Sequence, residues 1–195
     1  MGFSQHFVSA VKIAAQLLPV TSALAQWLGE IETSRLVDRL DRLEDPLTKY
    51  GPRAKELSQV LYSLVELQPQ DIPTTHLDWT PELAPFIKEL RYVESDGLIS
   101  GSHTVSREFE AGLRMNPGFI VYLALICGSR RECEKLVQLI EDAKQPLNGR
   151  NLAKLIELPL TVIDTFFRQY ENMGQGYKSQ QIGSSTYIPK QQPRL

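Results

Sequence analysis

Cysteine is scarce in this chain: two residues in 195, Cys127 and Cys133. Two thiols cannot form the disulfide framework of a small secreted domain. A separation of six places them about 240° apart around a helix, so they are not expected to meet. They read as core or surface thiols of a reducing compartment, and the chain as cytoplasmic. Histidine is almost as rare. His6, His76 and His103 lie far apart, and neither cysteine has a His or Cys neighbour at metal-ligand spacing. No metal site and no cofactor is expected. A clean apolar run of about 18 residues is also missing, which excludes a membrane-spanning helix, and no membrane contact is expected. The N-terminal stretch of Lys12, Ile13 to Val20 and Ala23-Leu24-Ala25 imitates a signal peptide, but Gln16 and Pro19 interrupt it, so it is expected to be retained. Gly2 invites myristoylation, yet His6 occupies the position where Ser or Thr is wanted.

Catalytic motifs are missing too. No glycine-rich run leads into Lys-Ser or Lys-Thr, as a phosphate loop requires. Gly97-Leu98-Ile99-Ser100-Gly101 sets a serine between glycines at the wrong spacing for a nucleophile elbow. The carboxylates read as helix surface, and His103 as a loop residue rather than a base. The chain is therefore expected to be non-enzymatic.

What is present is an ordinary globular composition, 42% apolar and 23% charged, with a formal net charge of −2. The charge is unevenly spread. Residues 144–195 carry seven basic groups against three acidic ones, and residues 51–143 carry nine against fourteen. Nucleic acid, if touched, would be met at the C-terminal end.

Helical apolar spacing runs through residues 3–28, broken by Pro19. Leu36, Leu40 and Leu43 form a narrow stripe in the charged stretch 30–45, the mark of an amphipathic helix. Pro46, Gly51 and Pro52 read as a linker. A helix follows over 53–68, with Leu57, Val60, Leu61, Leu64 and Leu67 inward. Thr80-Pro81-Glu82 starts another, with Thr80 as cap, running to Asp96 and closed by Gly97. Leu98 to Ser100, a polar tip and the alternating run Phe109 to Met115 predict a hairpin. Asn116-Pro117 opens an apolar helix, and Ser129 with Glu132 forms a capping box for the next, which runs to Lys144. Gly149–Ile156, the turn Glu157-Leu158-Pro159, a helix from 160 to 173 and a hairpin over 175–189 complete the pattern. Leu152, Leu155 and Ile156 are expected inward from the short helix. Val162, Ile163, Phe166, Phe167 and Tyr170 form the buried stripe of the following one.

Two segments thus share one order: a helix, a helix closed by glycine, then a two-stranded hairpin. The phrases "LAKLIELPLTVIDTFFRQYENMG" and "LRYVESDGLISGSHTVSREFEAGLRMNPGF" carry it, and the order resembles the winged form of the helix-turn-helix. The resemblance implies a mainly α fold with small β-hairpin wings. An N-terminal helical docking segment, 1–50, would precede two tandem winged-helix modules, 53–127 and 128–189, and a polar tail, 190–195. The second helix of the first module must then come from residues 69–79.

By that resemblance the third helix of the C-terminal module would face a major groove. Thr161, Asp164, Thr165, Arg168, Gln169 and Asn172 form its expected solvent face. The expected nucleic-acid contacts are Arg150, Lys154, Thr161, Thr165, Arg168, Gln169 and Lys178, with Arg168 and Gln169 able to reach base edges. The first module is acidic and better suited to protein contact. Arg91, His103 and Arg107 of that module, with Leu36, Leu40 and Leu43 of the N-terminal segment, form the expected interface with a protein partner or a second copy. The tandem arrangement is similar to that of kleisin-interacting tandem winged-helix proteins, which accompany chromosome-organising and defence-type ATPases. That similarity implies a non-catalytic subunit or adaptor joining protein partners, with DNA as a secondary partner and antiviral defence as one setting. The alternative is a sequence-specific DNA-binding transcriptional regulator working through the C-terminal module.

Overall fold

A computed structural model describes residues 5–22, 24–25, 46–69, 71–101, 112–181 and 184–190. Seven α-helices, two 3-10 helices and six short strands lie among them, and the chain is mainly helical. The helices are α1 (Gln5–Leu17), α2 (Ala54–Glu66), α3 (Ile87–Ser95), α4 (Pro117–Ile126), α5 (Arg130–Glu141), α6 (Gly149–Ile156) and α7 (Leu160–Asn172). The strands are β1 (His76–Leu77), β2 (Ile99–Gly101), β3 (Leu113–Met115), β4 (Leu147–Asn148), β5 (Gly176–Gln181) and β6 (Ser184–Pro189).

The chain repeats one connectivity. A helix (α2, then α5) leads to a two-residue strand (β1, then β4). Two helical pieces follow, and then two antiparallel strands. In both repeats the first strand pairs with the third, giving the sheet orders β1-β3-β2 and β4-β6-β5. The registers match in kind: Leu77 opposes Leu113, and Leu147 opposes Tyr187.

Between the repeats stands α4. Its sequence PGFIVYLALI carries no charge, and a helix apolar all round must be buried. Phe119 to Ala124 are all buried. Asn116 starts the helix by accepting from the amides of Gly118 and Phe119, with Pro117 at the first helical position. The helices α1, α2, α5 and α7 gather around α4. One apolar cluster runs from Phe7 on α1 to Tyr187 on β6, through both repeats.

Helix α1 ends before Pro19, as expected. It does not act as a free docking arm. Phe7, Ala10, Val11, Ile13 and Ala14 are buried. A Cβ on Gly118 would stand 2.7 Å from the Ala14 carbonyl oxygen, so glycine alone lets the α1 and α4 backbones approach this closely. Helix α1 thus packs into the core of this chain, and Leu36, Leu40 and Leu43 of the expected docking segment lie outside the described residues. The expected linker is also packed: Pro46–Tyr50 is a 3-10 helix whose Tyr50 ring is buried.

Several local expectations are corrected. Residues 71–79 hold strand β1 and no helix. The second helical piece of the first repeat is the 3-10 helix Pro81–Phe86, because Pro85 has no amide to continue an α-helix. Thr80 makes no side-chain cap there; its hydroxyl points to Glu82. Ser129 does not cap α5 either, because its Oγ accepts from the Tyr62 phenol at 2.8 Å. Leu67 and Leu155, expected inward, are exposed; Tyr62 and Val65 fill the α2 stripe instead. The left-handed Glu157 (φ 57°) turns the chain from α6 into α7. The hairpin β5–β6 forms as expected, with Tyr177 opposite Ile188. Neither cysteine is in a disulfide; Cys133 is buried and Cys127 half-buried.

Candidate functional site

The two repeats each place a helix just before the hairpin: α3 in the first, α7 in the second. These third helices have opposite surroundings.

Helix α7 is enclosed. Phe166, Phe167 and Tyr170 enter the core as expected, and Phe167 stacks on Tyr187 of β6 at 5.5 Å. The polar side expected to face solvent is enclosed as well. Thr161, Asp164, Thr165 and Gln169 are all buried, which corrects their assignment to a solvent face. The Thr161 hydroxyl accepts from the Thr74 amide at 3.1 Å and faces the Thr74 carbonyl and Gln68 Oε1 at 3.0 and 3.1 Å. Thr165 donates back to the Thr161 carbonyl. Gln169 Nε2 donates to Gln16 Oε1 of α1 at 2.7 Å. Gln68 and Thr74 of the first repeat and Gln16 at the end of α1 therefore occupy part of the face that a groove would need.

Three cations of this region are also engaged within the chain. Lys178 on β5 turns toward α7, and its Nζ lies 2.7 and 2.9 Å from the two Asp164 oxygens, with both side chains only 6% exposed. Arg168 NH2 lies 3.3 Å from Asp164 Oδ2. The Glu171 carboxylate accepts from the Lys178 amide at 2.9 Å, on the side of β5 that faces away from β6. A carboxylate there blunts the open strand edge. Arg150 reaches the Asp71 carbonyl at 3.5 Å. Of the expected nucleic-acid contacts, Lys154 and Arg168 are exposed, Arg150 is half-buried, and Thr161, Thr165, Gln169 and Lys178 are withdrawn from solvent.

Helix α3 is open. Leu90 and Val93, with Leu83 and Phe86 just before them, form its inner stripe. The acidic residues that make this segment look unsuited to an anionic partner are turned inward or tied down. Glu89 is buried. Glu94 Oε1 accepts from the Gly101 amide at 2.8 Å. Asp96 Oδ2 accepts from the Tyr50 phenol at 2.6 Å. Burial, and then this hydrogen bond to a carboxylate, push the Tyr50 phenol well above its usual range. The outward positions are Ile87, Lys88, Arg91, Tyr92 and Ser95, with Ile87 39% and Tyr92 46% exposed. They carry two cations, two apolar side chains and no carboxylate. Arg91 was expected at an interface and stands on this face; His103 and Arg107 lie outside the described residues. Lys88 and Tyr92 were missed. The spacing of Leu83, Phe86, Leu90 and Val93 could have found them, because it puts Glu89 on the inner side and 88, 91, 92 and 95 opposite.

A second opening is on the outer side of the C-terminal sheet, where Tyr177 and Ile188 oppose each other across the strands, both exposed. Among the described residues no three His, Cys, Asp or Glu side chains converge as a metal site, and no helix is long and apolar enough to cross a membrane. No family model matches the chain, and no curated protein or solved structure matches it either.

Proposed function

We propose that this chain is a non-catalytic adaptor built on two tandem winged-helix modules, a cytoplasmic subunit that joins protein partners within a larger ATPase assembly of the chromosome-organising or defence type. The repeated connectivity supports the winged-helix reading. In each repeat a helix, a strand and two helical pieces precede a hairpin, and the leading strand pairs with the last.

One observation carries the preference for an adaptor over a DNA-reading regulator. On the polar face of α7, Thr161 and Gln169 are bonded to Gln68, Thr74 and Gln16 of the same chain. Side chains already satisfied and dry have no groups left for base edges, and direct readout needs such groups. The regulator reading draws on these same residues. Protein contact draws on surfaces that stay open: the outward face of α3 and the Tyr177–Ile188 pair. Exposed aromatic and cationic side chains of this kind are the usual anchors of protein interfaces.

Light scattering on the purified chain, together with affinity recovery from its native host and a duplex-binding isotherm at low salt, tests the proposal. Stoichiometric recovery with an ATPase and no salt-dependent duplex binding is the expected result. A lone dimer that binds duplex DNA with a steep salt slope would favour the regulator instead.

A further inference from the structure

We infer that the outer edge of β5 is a self-pairing surface for a second copy of this chain, held shut by Glu171. The inference is independent of the adaptor reading. It rests on the make-up of that edge and on one contact that the two repeats share.

Strand β5 closes one side of its sheet: in the order β4-β6-β5, β6 is its only strand neighbour among the described residues. In an antiparallel pair, alternate residues turn their backbone groups toward the neighbouring strand and away from it. The Lys178 amide turns away from β6, since it reaches the Glu171 carboxylate at 2.9 Å. Gly176 and Gln180, two residues to either side, therefore turn outward as well. The edge offers a row of donors and acceptors centred on Lys178.

Native edge strands are protected by a charge, a proline, a bulge or shortness. On β5 these protections are missing. It runs for six residues, Gly176–Gln181, and its register with β6 is unbroken. It contains no proline, and Lys178 is its one charged residue. That charge is withdrawn from the edge, with the side chain 6% exposed and its ammonium on Asp164. Ser179, Gln180 and Gln181 continue an uncharged run of the kind that pairs readily between chains. The Glu171 carboxylate is the guard that remains, and it sits on the middle donor of the row.

The first repeat makes the same contact. Glu94 Oε1 accepts from the Gly101 amide at 2.8 Å, and each glutamate lies seven residues before the amide it holds. Gly97 and Gly174, three residues after each glutamate, turn the chain with φ of 69° and 70°. Strand β2 is an edge strand too, with three residues against the six of β5. A carboxylate on the outer strand's amide is thus common to both halves, although the strands it guards differ in length and side chains.

A second copy is the occupant that this edge fits. A strand meets its own copy antiparallel about a two-fold axis. With the axis beside Lys178, that residue faces its copy, and Gly176 of each chain faces Gln180 of the other, so outward donors and acceptors match in pairs. The two lysines do not repel, because each is already paired with Asp164 of its own chain. Two three-stranded sheets would then run on as one. Glu171 prevents this by occupying the Lys178 amide and by placing one negative charge on each side of the axis, where like charges would meet.

Sedimentation equilibrium on the full chain tests the inference. Glu171→Ala and Glu171→Ser each remove the carboxylate, so that a failure of one to fold leaves the other to decide. Circular dichroism and urea midpoints establish which variants are folded. Their mass should rise from one chain toward two as concentration increases, and exchange at the Lys178 amide should slow over the same range. Wild type should show neither change. Adding Gln180→Pro deletes an outward amide without touching the pairing with β6, and should return the mass to that of wild type. Folded variants whose mass tracks wild type at every concentration would overturn the inference. So would an association that survives Gln180→Pro, or one that leaves exchange at Lys178 unchanged. The adaptor reading is decided separately, by partner recovery with the wild-type chain.

Discussion

Asp164 on α7 and Lys178 on β5 form an ion pair at 2.7 Å with both side chains 6% exposed. The pair fastens the hairpin to the helix before it, and Arg168 gives Asp164 a second, more exposed partner at 3.3 Å. Lys178→Ala would leave a buried carboxylate with this single weaker partner. Breaking a buried pair from one side typically costs about 3 kcal/mol or more, and urea denaturation of the variant should show a loss near that size. Replacing both residues by apolar ones of similar volume should cost clearly less. A Lys178→Ala loss below about 0.5 kcal/mol would mean that the pair behaves as an exposed one.

The close approach of α1 to α4 predicts a steric effect. Gly118→Ala would put a methyl group 2.7 Å from the Ala14 carbonyl oxygen, a backbone atom that cannot swing aside. Overpacking of this kind costs about 1–3 kcal/mol. Hydrogen exchange should rise across residues 5–17 before it rises elsewhere. Unchanged exchange in α1 would show that the two helices separate without consequence.

The Thr161 hydroxyl joins the two repeats through Thr74 and Gln68. Thr161→Ala leaves the part-buried Thr74 amide without that acceptor, and losing such a hydrogen bond costs about 1 kcal/mol. The amide of Thr74 should then exchange faster, while Phe166 and Phe167 stay protected. Thr161→Ser, which keeps the hydroxyl, should recover most of the loss.

Alkaline pH should weaken the fold. Burial raises the phenols of Tyr50, Tyr62 and Tyr170 above their usual value near 10, and the carboxylates Asp96 and Glu141 add to the shift at Tyr50 and Tyr170. The unfolded chain loses these protons from about pH 10, while the folded chain still holds them. Their contribution is therefore complete below pH 10 and declines above it, by up to about 1.4 kcal/mol per pH unit for each phenol. Urea midpoints measured with tyrosinate absorbance should stay level to about pH 9 and then fall. A midpoint that rises above pH 10 would contradict the burial of these rings.

Much of the architecture was legible in the order of residues, and the reasons can be named. Pro19, Pro117 and Pro159 each mark the edge of a helix, because proline acts locally through its fixed φ and missing amide. The apolar spacing of Phe166, Phe167 and Tyr170 gave the inner side of α7 directly. Other features depend on partners distant in sequence. Strand β1 has two residues and exists because Leu113 and Arg114 pair with it. Thr161, Thr165 and Gln169 look like a wet helix face until Thr74 and Gln16 arrive to cover them. Polar side chains bury readily when a partner far along the chain satisfies them, and helical periodicity cannot foresee that. The acidic appearance of α3 misled for a related reason. Composition counts Glu89, Glu94 and Asp96 equally with Lys88 and Arg91, although the first three turn to the protein's own groups.

The placement of α1 also has a consequence in time. Its contacts join residues separated by 135 positions in the case of His6 and Glu141, and by 153 in the case of Gln16 and Gln169. Within this chain α1 is made well before the helices that cover it. The Phe7–Ile13 face then waits bare while most of the chain is still being polymerised. Contacts of such long range slow folding, and a waiting apolar face is a natural client for a holding chaperone. Recovery of this protein from overproducing cells should thus depend on synthesis rate, with slow translation at low temperature giving the larger share of native material.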